Sequence, residues 1–191
     1  MAASYEEKSP QIQWEHPFQK GGVEYQKASA QFYTRKDTER LGTILAGKLD
    51  YAPGEDLTRI VENLGGKIEY VDFPTYEESK KCGSILVHGK NDFTIILPNY
   101  TSELRDRFSI AHELGHYFLH SEQGQVPLFA ERNHSTRPEW EANWFAAGFL
   151  MPETEFRKLL DQSLALSEIA LYFGLSMEAV SIRKKTLCGS A

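Results

Sequence analysis

Cysteine is scarce in this sequence: Cys82 and Cys188 are the only two among 191 residues. The two stand far apart and form no C-x-x-C pair, which argues against a zinc site built on paired cysteines and against a disulfide framework. Chains with so few cysteines are typical of a reducing compartment, where disulfides do not persist. The cysteine content therefore favours a cytoplasmic location.

Long hydrophobic runs and an excess of positive charge are also missing. No stretch approaches roughly 18 consecutive apolar residues, so the sequence predicts no membrane span. Residues 1–10 are polar and lack the apolar core of an export signal. Lys and Arg number 21 against 27 Asp and Glu, a net charge of −6, which argues against a broad nucleic-acid-binding surface. We therefore expect a cytoplasmic protein that neither enters a membrane nor binds DNA directly.

The hydrophobic content is sufficient for one folded domain with a core, since apolar residues make up 41% of the chain and aromatic residues 12%. Helical spacing of apolar residues predicts helices over residues 37–49, 56–63, 102–121, 138–150, 153–160, 166–173 and 177–185. Strand-like runs cover residues 67–73, 83–88 and 93–97, with hairpin turn residues between the last two. The pattern indicates an α+β fold with a small, mostly antiparallel sheet. We divide it into an N-terminal arm (residues 1–36), a core (37–152) and a C-terminal helical segment packed on the core (153–191).

The motif H-E-x-x-H, formed by His112, Glu113 and His116, lies within the helix predicted over residues 102–121. Residues four apart share one helix face about 6 Å apart along the axis, so both imidazoles can reach one ion. Zinc suits this arrangement, because two histidines, a third ligand and an open water position make a catalytic site. Glu113 is then the candidate general base that takes a proton from the water.

Gly115 stands between the two candidate ligands although glycine costs a helix about 1 kcal/mol relative to alanine. A glycine retained there indicates that another backbone passes close to the helix.

The third ligand has to come from another part of the chain. A histidine six residues after His116 is absent, because Glu122 occupies that position, and His120 is expected to support the site or the helix end instead of binding the ion. A glutamate on the next helix remains, either Glu139 or Glu141. Glu141 shares a face with large aromatic residues, where an unpaired carboxylate is costly, and this favours Glu141 as the ligand.

Several runs in this chain resemble the ImmA/IrrE family of zinc metallopeptidases. The two central runs are residues 104–120 (LRDRFSIAHELGHYFLH) and residues 141–152, which begin EANWFAA and end LMP. The similarity continues upstream to residues 64–68 (LGGKI) and 83–85 (GSI), and downstream to residues 173–183 (FGLSMEAVSIR). In all it covers roughly residues 38–187.

The resemblance implies a zincin-like, gluzincin-type fold with one zinc ion per chain. It implies His112, His116 and Glu141 as the metal ligands and Glu113 as the catalytic base. It also implies an intracellular protease that cuts a partner transcriptional repressor at one site, releasing genes for stress response or for mobile elements. Some relatives belong to toxin–antitoxin pairs, so a non-proteolytic binding module that keeps the metal is the alternative function.

The sequence leaves the substrate-binding groups open. Candidates for the oxyanion donor are Tyr117, Arg132 and His134. A peptide is expected to add to an exposed strand at residues 93–97, and the polar stretch 123–137 is expected to form a loop that gates the cleft.

The C-terminal residues 166–185 also resemble a helix-turn-helix, which raises the possibility of a DNA-binding regulator. Their basic cluster is limited to Arg183, Lys184 and Lys185, in a chain that is acidic overall. We therefore expect this helical pair to pack on the catalytic core.

Overall fold

A mixed five-stranded sheet lies at the centre of the fold. The structure, a computed structural model, describes residues 18–72, 83–131 and 136–189. In these residues the sheet has the strand order β1-β5-β3-β4-β2. The strands are β1 (Gln26–Lys27), β2 (Gly66–Val71), β3 (Gly83–Gly89), β4 (Asp92–Pro98) and β5 (Leu128–Glu131).

The three inner strands of the sheet are antiparallel and both outer strands add in parallel. β3 pairs antiparallel with β4, which confirms the predicted hairpin, and also with β5. β2 joins β4 in parallel, and β1 joins β5 in parallel. β4 is therefore an inner strand with both edges paired, which corrects the expectation that residues 93–97 offer a free edge to a peptide.

Strand β5 lies where the sequence was expected to form a loop, within residues 123–137. Its apolar run is only three residues long, from Leu128 to Ala130, which is too short for a periodicity argument. The strand forms because it pairs with β3 and buries Leu128 and Ala130 in the main core. Pairing with β3 thus determined the strand conformation of a segment whose local pattern was ambiguous.

Helices pack against one face of the sheet. They are α1 (Arg35–Lys48), α2 (Thr58–Asn63), α3 (Glu103–Gly115), α4 (Arg137–Leu150), α5 (Glu153–Asp161), α6 (Leu166–Phe173) and α7 (Met177–Cys188). A π-helical turn, His116–His120, continues α3 without a break. In the described part of the chain, no helix is long and apolar enough to cross a membrane.

The main core lies between the sheet and these helices, because alternate residues of β3 and β4 face it. Ile85, Val87 and Ile95 belong to this core. The opposite face of the sheet carries a small cluster around Leu86, on which Phe18, Tyr25 and other partly buried residues pack.

Two close helix crossings hold α4 in place. A Cβ at Gly148 would overlap the Glu39 carbonyl of α1, and the Thr43 hydroxyl donates to the Gly148 carbonyl at 2.9 Å. A Cβ at Gly115 of α3 would lie 3.0 Å from the Ala142 Cα of α4. This confirms the prediction that another backbone passes Gly115, and it identifies that backbone as α4.

The C-terminal helices contribute to the same hydrophobic core as the sheet. Phe156, Phe173 and Val180 are fully buried in it. Arg183 is also buried: its Nη1 lies 2.6 Å from Glu39 Oε2, and its Nε donates to the Met151 carbonyl at 3.1 Å. One of the three basic residues of the helix-turn-helix-like pair is therefore a tertiary contact, unavailable to a phosphate backbone.

Candidate metal centre

Helix α3 brings together the three residues of the H-E-x-x-H motif. Candidate ligand atoms of His112, Glu113 and His116 all lie within 4.8 Å of one another, and all three side chains are buried. The Nε2 atoms of the two imidazoles are 3.3 Å apart. The sequence prediction that these residues share one site agrees with their positions in the structure.

Glu139, in the first turn of α4, faces both histidines. Its Oε2 lies 3.2 Å from His112 Nε2, and its Oε1 lies 3.0 Å from His116 Nε2. Its side chain is buried beneath the start of the helix. The two helices thus direct two imidazole nitrogens and one carboxylate to a common point.

The structure does not bring Glu141, which the sequence argument favoured as the third ligand, to the histidine pair. Glu141 is fully buried, as expected, but its Oε1 accepts from Arg137 Nε at 3.0 Å. Its Oε2 accepts from the backbone N–H of Gln31 at 2.9 Å and lies 3.2 Å from His120 Nε2. These hydrogen bonds stabilise the buried Glu141 carboxylate. Its burial among aromatic residues therefore does not require a bound metal ion.

Asn143 is a site residue that the sequence argument missed. Its Oδ1 lies 3.0 Å from His112 Nδ1. The amide oxygen accepts from Nδ1–H, which orients the ring so that Nε2 faces Glu139. The available signal was the four-residue spacing of Glu139 and Asn143, which places both on one helix face.

His120 lies behind His116 and does not face Glu139. Its Nδ1 is 3.0 Å from His116 Nδ1, on the side of that ring away from Glu139. Its other nitrogen meets Glu141. His120 therefore contacts His116 and Glu141, and its role in supporting the site stays a prediction.

Burial and neighbouring charges set the protonation states of the site. Burial lowers the pKa of His116 to about 4, although contact with Glu139 opposes the shift. Burial by itself would raise the pKa of Glu139, but His112 and His116 beside it hold that pKa below its ordinary value. A neutral imidazole and an ionised carboxylate are the states that bind a divalent cation.

These residues fit a metal ion. Two imidazole nitrogens and one carboxylate, from His112, His116 and Glu139, converge within hydrogen-bonding distance of one another. Glu139 Oε2 is buried and has no hydrogen-bond partner that meets geometric criteria among the described residues. A cation stabilises such a buried carboxylate, and two nitrogens with one carboxylate are a ligand set that zinc accepts.

A cavity of about 150 Å³ opens beside Glu139. Pro138 and Glu139 line it from α4, Phe129 from β5, and Lys27 and Ala28 from the N-terminal segment. It borders β1 and β5, on the side of the sheet away from β4.

Of the three candidates for the oxyanion donor, the structure describes Tyr117. Tyr117 packs in the hydrophobic core with its ring centroid 4.4 Å from that of Phe93, and burial raises the pKa of its hydroxyl. This environment suits a core residue better than a group that contacts substrate. Arg132 and His134 lie outside the described residues.

Comparison with known proteins supports this description of the fold. A Mycobacterium tuberculosis transcriptional regulator of known structure superposes with a TM-score of 0.58 at 16% identity, a likeness that concerns the fold alone. The match covers 80% of this chain and 47% of that one, so the chain spans about half the length of the regulator. No curated protein sequence matches the chain significantly.

A family comparison identifies the domain that contains the site. The IrrE N-terminal-like domain of the Peptidase M78 family matches residues 61–185, about two thirds of the chain. The matched region includes α3, α4 and every residue that faces the candidate centre from these helices. The chain therefore belongs to the Peptidase M78 (IrrE N-terminal-like) family.

Proposed function

We propose that this protein is a zinc-dependent endopeptidase that makes a site-specific cut in a partner regulatory protein, a transcriptional repressor, in the cytoplasm. The convergence of the His112, His116 and Glu139 ligand atoms beside Glu113 is the observation that carries the proposal. Membership of a peptidase family supports the reaction class.

Each residue of the centre has a defined task in this proposal. His112, His116 and Glu139 would hold the zinc, which when bound supplies a Lewis acid and a water of lowered pKa. Glu113, next to His112 on the helix, accepts the proton of the attacking water and passes it to the nitrogen of the leaving group. Because these side chains are buried, electrostatic interactions among them act with little screening.

The substrate is proposed to enter along the β1–β5 side of the sheet. The cavity next to Glu139 provides space for one side chain of an extended peptide. β1 pairs with β5 through only two residues, both exposed, so this edge is lightly protected. An extended segment of a regulatory protein is the kind of ligand that adds to such an edge.

Direct DNA binding is a weaker explanation of the C-terminal helices. Arg183 is committed to Glu39 and Met151 inside the protein. The net charge of −6 also disfavours a phosphate backbone. We therefore propose that these helices complete the core of the peptidase.

Elemental analysis of purified variants tests the ligand set. We expect one zinc per chain in the wild type and in Glu113→Gln, and substoichiometric zinc in Glu139→Gln. Glu141→Gln, two residues away on the same helix and also buried, is measured beside it and should retain more zinc than Glu139→Gln. Full zinc in Glu139→Gln together with loss in Glu141→Gln would restore Glu141 as the ligand and contradict our assignment.

Expression of the wild type beside Glu113→Gln tests the reaction. We expect quantitative proteomics to show a regulatory protein that is cleaved with the wild type and intact with the variant, because only the proton acceptor differs. Equal cleavage by both would refute the role of Glu113. A stable, uncleaved partner that co-purifies with the zinc-loaded wild type would instead support a binding module.

A further inference from the structure

Two buried side chains with acid–base chemistry, His120 and Glu141, have no part in the proposed reaction. Both are fully enclosed, with side-chain exposures of 0%. Neither faces the point where His112, His116 and Glu139 converge. Burying a carboxylate and an imidazole is costly, so their arrangement calls for a specific role.

The two residues form a hydrogen-bonded chain that ends on a proposed zinc ligand. Glu141 Oε2 lies 3.2 Å from His120 Nε2, and His120 Nδ1 lies 3.0 Å from His116 Nδ1. His116 presents its opposite nitrogen, Nε2, to Glu139 at 3.0 Å. The chain thus runs from Glu141 through two rings to the metal-facing nitrogen.

The chemistry of the three side chains determines which group donates and which accepts in each of these hydrogen bonds. A carboxylate only accepts, so His120 Nε2–H donates to Glu141. The Nδ1 of a neutral His120 then carries a lone pair and accepts, which requires a proton on His116 Nδ1. With that proton in place, His116 Nε2 carries the lone pair that a metal needs.

Further contacts hold Glu141 in the orientation that this chain needs. Arg137 Nε donates to its Oε1, and the backbone N–H of Gln31 donates to its Oε2. Arg137 is itself held, because its guanidinium lies 4.8 Å from the centre of the Trp144 ring and donates to the Tyr33 carbonyl at 2.6 Å. The carboxylate is therefore anchored from α4 and from the segment before α1.

We propose that Glu141 and His120 are positioning residues that hold His116 as the Nδ1–H tautomer, with the Nε2 lone pair aimed at the metal. The inference rests on the proposed function, in that His116 is taken as a zinc ligand. Asn143 serves His112 in the same way, but through one direct contact. A carboxylate placed behind a metal-binding histidine raises its basicity and fixes its ring, and loss of such a partner typically weakens metal binding by about 10–100-fold.

Long-range ¹H–¹⁵N NMR of the zinc-loaded protein at neutral pH is the first test, because it reports which ring nitrogen of each histidine carries the proton. In the wild type we expect His116 and His120 to be neutral, with the proton of His116 on Nδ1 and that of His120 on Nε2. A proton on His120 Nδ1 would overturn the inference without any variant.

The second test compares His120→Phe with His88→Phe, two substitutions that remove a buried histidine and keep a ring. His88 contacts Tyr25 and Thr94 and no residue of the centre. We expect His120→Phe to weaken zinc affinity by about 10–100-fold, measured by competition with a chromogenic chelator. We expect His88→Phe to leave the zinc affinity unchanged.

An unchanged zinc affinity in folded His120→Phe would overturn the inference. Thermal unfolding of the metal-free variants establishes that each is folded. Absence of zinc binding or of cleavage by the wild type would refute the proposed function, whereas the His120 tautomer and the comparison of His120→Phe with His88→Phe report separately on the Glu141–His120–His116 chain.

Discussion

Asn143 shows how a side chain that binds no metal can prepare one that does. Its amide oxygen accepts from His112 Nδ1 at 3.0 Å, so the other ring nitrogen keeps its lone pair. It shares a face of α4 with Glu139, which meets that second nitrogen. One helix face therefore supplies both a proposed ligand and the partner that orients another.

Replacement of Asn143 tests this role at the scale of one residue. We expect Asn143→Leu to weaken zinc affinity by about 10–100-fold, because the acceptor of the His112 proton is lost. Asn143→Asp keeps an acceptor in the same place and should retain affinity close to the wild type. Chelator competition measures both, and equal weakening by Leu and Asp would show that shape and not hydrogen bonding matters there.

Helix packing determines where Glu139, the proposed ligand on α4, points. Gly148 and Gly42 let the backbones of α1 and α4 approach closely, and Gly115 does the same between α3 and α4. The continuation of α3 as a π-helical turn keeps His120 against His116. The elements that carry the site are thus held by close backbone contacts, which tolerate little change.

A pair of glycine substitutions tests this packing at the scale of elements. We expect Gly148→Ala to destabilise the fold by about 2 kcal/mol or more, because the new Cβ overlaps the Glu39 carbonyl. Gly47→Ala, on an exposed part of α1 with open space around it, should stabilise the fold by about 0.5–1 kcal/mol. Urea unfolding measures both, and similar effects at the two positions would contradict the packing argument.

At the scale of the whole molecule, we propose that the C-terminal helical segment and the core fold as one unit. Arg183 of α7 pairs with Glu39 of α1, and its side chain is 1% exposed. It also donates to the carbonyl of Met151, the C-cap residue that follows α4. A single charged side chain therefore connects three helices that are distant in sequence.

Removal of one partner of this ion pair tests the unity of the fold. We expect Arg183→Met to reduce the free energy of unfolding by about 1.5–3 kcal/mol, since the Glu39 carboxylate keeps Arg35 as a partner but loses its charged hydrogen bond to Arg183. The double variant Arg183→Met with Glu39→Met should recover much of that loss. Circular dichroism in urea should show one transition in every case, and a separate early transition for the C-terminal helices would refute the proposal.

Much of the fold follows from local pattern. The helices and the β3–β4 hairpin agree with their apolar periodicity and turn residues, because those signals act over a few residues. β5 did not follow from its sequence, because a three-residue apolar run becomes a strand only beside a partner. The inner position of β4 likewise depends on β2, which comes earlier in the chain and pairs with the free edge of β4.

The sequence by itself determined the centre on α3, because helical spacing alone places His112, Glu113 and His116 together. Only the tertiary structure shows that Glu139, and not Glu141, faces His112 and His116. Both stand in the first turns of α4 and both are buried, so burial does not separate them. The rotation of α4 about its own axis separates them, and that rotation is set by the close contact of Gly115 with Ala142, a distant interaction that no local pattern encodes.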